Sequence, residues 1–194
     1  MHFRDRLRTL PLPAAVATEI RTAVCAFPTG TSFAVRSSST MEDLAEAAFA
    51  GLHDSFLNCQ GVEAVLEAVR NCYLSLWHDR AIAYRHRHGF DHATAHMAVV
   101  VQTMAHCDAA GVAFSMNPVT GDLGVAVISA NFGLGESVVN GACEVDHWEV
   151  DKLSGAILSS SIADKSIRTV SSATGGTEEE VLDERERQSA VLSP

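Results

Sequence analysis

Chemistry in this sequence concentrates at Arg36-Ser37-Ser38-Ser39-Thr40, followed by Glu42 and Asp43. An arginine ending a strand-like run, with hydroxyls after it, offers a guanidinium fork and several backbone N–H groups to one point. Phosphate oxygens suit that arrangement, because the planar fork can hold two of them at once. A plainer reading fits the same residues: Ser39-x-x-Glu42 has the spacing of a helix capping box, with Arg36 as a surface arginine. Physics alone leaves both open. A second candidate is Gly133-Leu134-Gly135-Glu136, where glycines allow close backbone approach to a ligand or simply form a tight turn. A third is the histidine group His86, His88, His92 and His96. The spacing 88, 92, 96 would form a metal-binding face on a continuous helix, but Gly89 argues for a solvated basic helix end instead. No Gly-x-x-x-x-Gly-Lys-Ser/Thr loop is present, and no Ser or Cys has a convincing nucleophile–base context.

These residues need elements to hold them. Ala14–Phe27 carries apolar residues at 14, 17, 20 and 24, which predicts a helix. Ser32–Arg36 predicts a short strand, with a short helical piece after it that turns at Gly51 and His53-Asp54-Ser55. From Val62, apolar residues recur at 62, 65, 66, 69, 73, 76, 77 and 84, which predicts one helix of some seven turns stopping at Gly89. After His96 the period changes. Met97–Met104, Gly111–Met116 and Val125–Ala130 predict strands, punctuated by Asn117-Pro118 and Thr120-Gly121-Asp122. Trp148–Val150 and Ile157-Leu158 predict a hairpin around Ser154-Gly155. One long helix packed on a largely antiparallel sheet is the expected α+β architecture. Three regions are expected: a helical lead-in over 1–31, a folded region over 32–170, and an exposed, polar, acidic tail over 171–194.

The 194 residues are 47% hydrophobic and 20% charged, a globular balance with enough chain for a core. Fourteen Lys and Arg stand against 24 Asp and Glu, for a net charge of −10. Such a surface repels phosphate backbones and argues against nucleic-acid binding, while leaving room for a local site for a small anion. The five Cys have no C-x-x-C spacing, and no signal-like apolar region lies near Met1, so a reduced, cytoplasmic setting is expected. No apolar stretch approaches the ~20 residues a membrane span needs.

The segment Phe33–Asn58, with AVRSSSTMEDLAEAAFAGLHDSFLN, resembles the nucleotide-binding signature of the phosphoenolpyruvate synthase and pyruvate phosphate dikinase family, close to AVRSSAxxEDxxxxSFAGQxxTFLN. The likeness continues in colinear order through YLSLWHDRAIAYRHRHGFDH, VVVQTM, GVAFSMNPVTGD, NFGLGESVVNG, VDKLSGAIL and ADKSIRTV, over roughly residues 32–170. It implies an ATP-grasp domain, in which two α+β lobes close over ATP while a separate swivelling domain carries a phosphorylated histidine. It further implies a phosphotransferase of the pyruvate, water dikinase type: ATP phosphorylates that histidine, and the phosphoryl group passes to pyruvate. Rifampin phosphotransferases share the ATP-binding half and send the group to an antibiotic hydroxyl, which is one alternative. A noncatalytic nucleotide-binding or interaction module is another.

Residue by residue, the resemblance gives Arg36 the role of the arginine that holds ATP phosphates, the one catalytic role it transfers. It sets Gly51 and Ser55 at the glycine and threonine of the phosphate-side loop, and Gln102 at the glutamine that contacts the nucleotide. Glu136, in GLGE, takes a structural or ribose-side role. Leu52 and His53 stand where the family often has Gln-Gln, and Val145-Asp146 where Pro-Asp is usual. The upstream lysine of the family has no counterpart in residues 1–31, and neither a DIEW-like segment nor a Q-x-R-P motif occurs. The expectation is therefore a chain truncated at both ends, using ATP with Mg²⁺ but without the family's metal ligands. Its expected partners are a second polypeptide or further domains carrying the phosphohistidine, and a second copy of itself.

Overall fold

The computed structural model describes residues 3–39, 43–44, 47–48 and 54–192. The chain divides into two compact units, one of residues 1–104 with 173–176, the other of residues 105–172 with 177–194.

The first unit opens with helices α1 (Phe3–Arg8) and α2 (Ala14–Cys25), the latter entered from Pro13. Proline suits a helix start because its missing N–H would be unpaired there in any case. Strand β1 (Ser32–Ser39) follows, then the two-residue strands β2 (Asp43–Leu44) and β3 (Ala47–Ala48), then β4 (Ser55–Gln60). Helices α3 (Gly61–Ser75) and α4 (Asp79–Arg87), a 3-10 turn at His92–Thr94 and strand β5 (Met97–Thr103) complete it. The sheet order is β4-β1-β5, antiparallel throughout. One face of this sheet is apolar: Phe33, Val35 and Cys59 pack with Val65, Ala68, Val69 and Cys72 of α3 and with Val24 of α2. Burying a side chain of the Val or Phe class stabilises by roughly 1.5–3 kcal/mol, so this cluster anchors the unit.

Three sequence expectations change here. Ser39 continues β1 rather than capping a helix, and in place of a short helical piece β2 pairs antiparallel with β3, Asp43 opposite Ala48. The long helix also divides. Trp77 and His78 donate their N–H groups to Leu74 and Ser75 in tight turns, and the extended His78 starts α4 afresh. The buried Arg85 occupies the break, its Nη2 donating to the Leu76 carbonyl at 2.7 Å and its Nε to His92 Nδ1 at 3.0 Å. A carbonyl freed from the helix ladder is thus repaired from the side.

The second unit contains β6 (Ala109–Phe114), β7 (Val125–Phe132), α5 (Glu136–Asn140), β8 (Asp146–Asp151), β9 (Ile157–Ser161), β10 (Ile167–Ser171), β11 (Thr177–Val181) and α6 (Glu184–Arg187). Strands β6-β7-β8-β9 form an antiparallel meander and β10-β11 a ribbon, so the polar segment beyond Ser171 carries secondary structure. Asp151 shapes the β8–β9 turn. Its Oδ1 accepts from the Ser154 N–H at 2.7 Å and hydroxyl at 2.6 Å, bonds that hold its carboxyl below the ordinary range. At the centre of the unit lies a fully buried ion pair, Lys165 Nζ to Asp146 Oδ1 at 2.6 Å. Lys165 also donates to the carbonyls of Ala163 and Ser189, and Asp146 also accepts from the N–H groups of Ala163 and Val191, so the charges are enclosed by hydrogen bonds. The architecture is α+β with largely antiparallel sheets, as the sequence predicts.

Candidate functional site

In an antiparallel pair, residues directly opposite share a face, and residues two apart along a strand share it too. Arg36 on β1 stands directly opposite Ser55 on β4. On the other side Ala34 stands opposite Gln102 of β5, and Ala34 and Arg36 are two apart. Arg36, Ser55 and Gln102 therefore share one face of the sheet, with Ser38 beside them. All four are exposed, while Val35 and Phe56 turn to the other face, towards α3. Arg36 and Gln102 are separated by one strand spacing and about 7 Å along the strand direction. The face thus offers a guanidinium fork, a hydroxyl and a side-chain amide to solvent. That set donates to an anion and can also read a polar edge.

The remaining sequence candidates fall elsewhere. Gly51 lies outside the described residues, as do Thr40 and Glu42 of the capping-box reading. Glu136 belongs to the second unit, where it opens α5 and its Oε2 accepts from Thr177 Oγ1 at 3.0 Å. The glycines of Gly133-Leu134-Gly135 have packing reasons. Gly133 has φ of +74° and bridges to Thr169, and a Cβ there would collide with the Thr169 carbonyl oxygen. A Cβ on Gly135 would press on Ala110 Cβ at 3.3 Å.

The histidines are dispersed by the end of α4. His88 lies against Tyr84, ring centroids 4.3 Å apart, and His92 accepts from Arg85 through Nδ1, which places its own proton on Nε2. Among the described residues no three His, Cys, Asp or Glu side chains converge as metal ligands.

Sequence reasoning missed Arg85, Asn58 and the Asp146–Lys165 pair. Asp146 was visible only as the neighbour of a departure from the family pattern, and Asn58 only as the last residue of FLN.

Fold and site together describe an α+β protein that presents a cation, a hydroxyl and an amide from one solvent-facing sheet surface. Residues 2–194 match the family described as pyruvate phosphate dikinase, AMP/ATP-binding domain, and the chain belongs to that family. Among curated relatives, a rifampicin phosphotransferase of Streptomyces is 42% identical over 98% of this chain and 22% of its own length. A probable phosphoenolpyruvate synthase of Methanothermobacter thermautotrophicus is 47% identical over 69% of this chain and 19% of its own length. The phosphoenolpyruvate synthase of Pyrococcus furiosus is 38% identical over 87% of this chain and 21% of its own length. The chain thus spans about a fifth of the length of these relatives.

Proposed function

We propose that this chain is the ATP-binding part of a phosphoenolpyruvate synthase-like phosphotransferase of ATP-grasp type, with residues 32–170 as its nucleotide-binding region. The observation that carries the reading is the strand register that sets Arg36 opposite Ser55, with Gln102 on the same face. Arg36 grips phosphate oxygens through its fork, Ser55 adds a hydroxyl donor, and Gln102 contacts the nucleotide. Gly51 and Glu136 are carried over from the family resemblance alone. Phosphoryl transfer depends chiefly on positioning and charge neutralisation, so a guanidinium on the phosphates contributes directly to it. Mg²⁺ supplies further neutralisation when it accompanies ATP. The described residues do not assemble a carboxylate site for it.

In this reading the acceptor histidine and the pyruvate site belong to further domains or a second polypeptide, and the protein works in the cytoplasm. A self-association of the chain belongs to the same proposal. The 42% identity to a rifampicin phosphotransferase over nearly the whole chain favours a second reading, in which the phosphoryl group goes to an antibiotic hydroxyl. The two differ in the acceptor, not in the ATP-binding chemistry. Calorimetric titration of the chain with ATP tests what they share: saturable binding that Arg36→Ala weakens at least tenfold is expected. Equal binding by the two proteins would remove the sheet face from the site.

A further inference from the structure

Asn58 is the only non-glycine residue among those described with a positive φ, at +53°. Asparagine tolerates the left-handed region better than most residues, but a buried one there still calls for a reason. Asn58 is 2% exposed, and its position in the sheet supplies one. Between β1 and β4, Ser32 pairs with Gln60 and Phe33 with Cys59, yet Val35 pairs with Phe56 and Arg36 with Ser55. Two steps along β1 match three along β4, so β4 holds one extra residue in a bulge at Leu57–Asn58. Were the first register continued, Arg36 would face Phe56, and Ser55 would turn to the α3 side. A slip of one residue exchanges the faces of a strand. The bulge is what lets both Cys59 and Phe56 reach the core while Ser55 stands beside Arg36.

Asn58 is also clasped. Its Nδ2 donates to the Gly176 carbonyl at 2.8 Å, and its own carbonyl accepts from the Gly176 N–H at 3.1 Å, within the same unit. Gln60 Nε2 donates to Asn58 Oδ1 at 3.3 Å. The two bonds to Gly176 close a ring around the left-handed residue.

We propose that Asn58 is a positioning residue for the anion-binding face: its left-handed bulge, held by the clasp on Gly176, sets Ser55 rather than Phe56 opposite Arg36. The proposal rests on the nucleotide reading for its consequence, though not for its geometry. The test uses the 194-residue chain and the variants Asn58→Gly, Asn58→Ala and Asn58→Val. All three lose the side-chain amide, but they tolerate a positive φ in falling order. Two quantities are read: ATP affinity by calorimetry, and register by backbone nuclear Overhauser contacts between residues 36 and 55.

Asn58→Gly should keep the 36–55 contacts and bind ATP within about threefold of the parent. Asn58→Val should lose those contacts and bind at least tenfold more weakly, with Asn58→Ala between. If the valine variant does not fold, the alanine–glycine comparison decides. Equal affinity and intact 36–55 contacts in the alanine and glycine variants overturn the proposal. Arg36→Ala separates the two claims. If it weakens ATP binding while the Asn58 series does not, the nucleotide reading stands and Asn58 leaves it. If it has no effect while the Asn58 series loses the 36–55 contacts, Asn58 sets the register of a face that does not bind ATP.

Discussion

A lysine at position 36 would keep the charge and lose the fork. An ammonium is a point donor that cannot hold two phosphate oxygens in a plane, and a charge-assisted hydrogen bond contributes about 1.5–3 kcal/mol. Arg36→Lys should therefore weaken ATP binding by about tenfold to over a hundredfold, read by calorimetry. The melting temperature should barely move, because Arg36 is exposed and outside the core. The thiols make a different statement. Burial, the Asp54 carboxylate and Cys59 push the Cys72 thiol up from 9.0 to about 12, and burial also raises that of Cys59. A thiol that ionises later in the folded chain than in the unfolded one gives a stability present below pH 9 and lost as pH rises from about 9 through about 12. Urea midpoints measured from pH 8 to 11 should fall less steeply for Cys72→Ala than for the parent. Arg36, Ser55 and Gln102 enter the proposed site because family motifs set an arginine, a threonine replaced here by serine, and a glutamine in that order. Asn58 was not legible in the sequence, since its role lies in a backbone angle and a register shift that the letters FLN do not encode.

Arg85 sits one helical turn from Ala81, on the buried side of α4, where spacing alone would ask for an apolar residue. It is fully buried, its ring neighbour is Trp77 at 5.6 Å, and burial lowers its pKa. Replacing it by leucine would leave the Leu76 carbonyl and His92 Nδ1 without their donor. Arg85→Leu should cost about 2–4 kcal/mol in urea unfolding followed by circular dichroism. The same residue explains why sequence reading joined α3 to α4. Apolar positions keep a helical period straight through 76 and 77, and periodicity records which side of a helix is greasy, not whether its axis is continuous. The break depends on a carbonyl being satisfied by a side chain nine residues further on. Strands β5 to β7 were easier, because short apolar runs rich in β-branched residues, set off by turn residues such as Asn117-Pro118 and Gly121-Asp122, are too brief for helices. The ribbon β10-β11 was missed because β11 is Thr-Glu-Glu-Glu-Val, a composition that reads as a solvated tail. Cross-strand pairing sets Glu180 opposite Arg168, which it accepts from at 2.9 Å.

The whole chain spans about a fifth of the length of these relatives, and its sequence holds neither DIEW nor Q-x-R-P. The isolated chain supplied with ATP, Mg²⁺ and pyruvate should form no AMP or phosphoenolpyruvate above a protein-free control, measured by chromatography. Appearance of both would show that the chain alone supports the full reaction. Stability in the second unit turns on its enclosed charges. Removing one partner of a buried pair strands the other, at about 3–5 kcal/mol, so Asp146→Ala should shift the urea midpoint far more than any exposed ion-pair change such as Glu180→Ala. That pair also carries a clock. Asp146 and Lys165 are translated well before Ser189 and Val191, whose backbone groups complete their enclosure. At a synthesis rate of about 5–20 residues per second, the lysine waits on the order of seconds for its last acceptor. Through that interval the two charges lack the backbone partners that complete their enclosure in the folded unit.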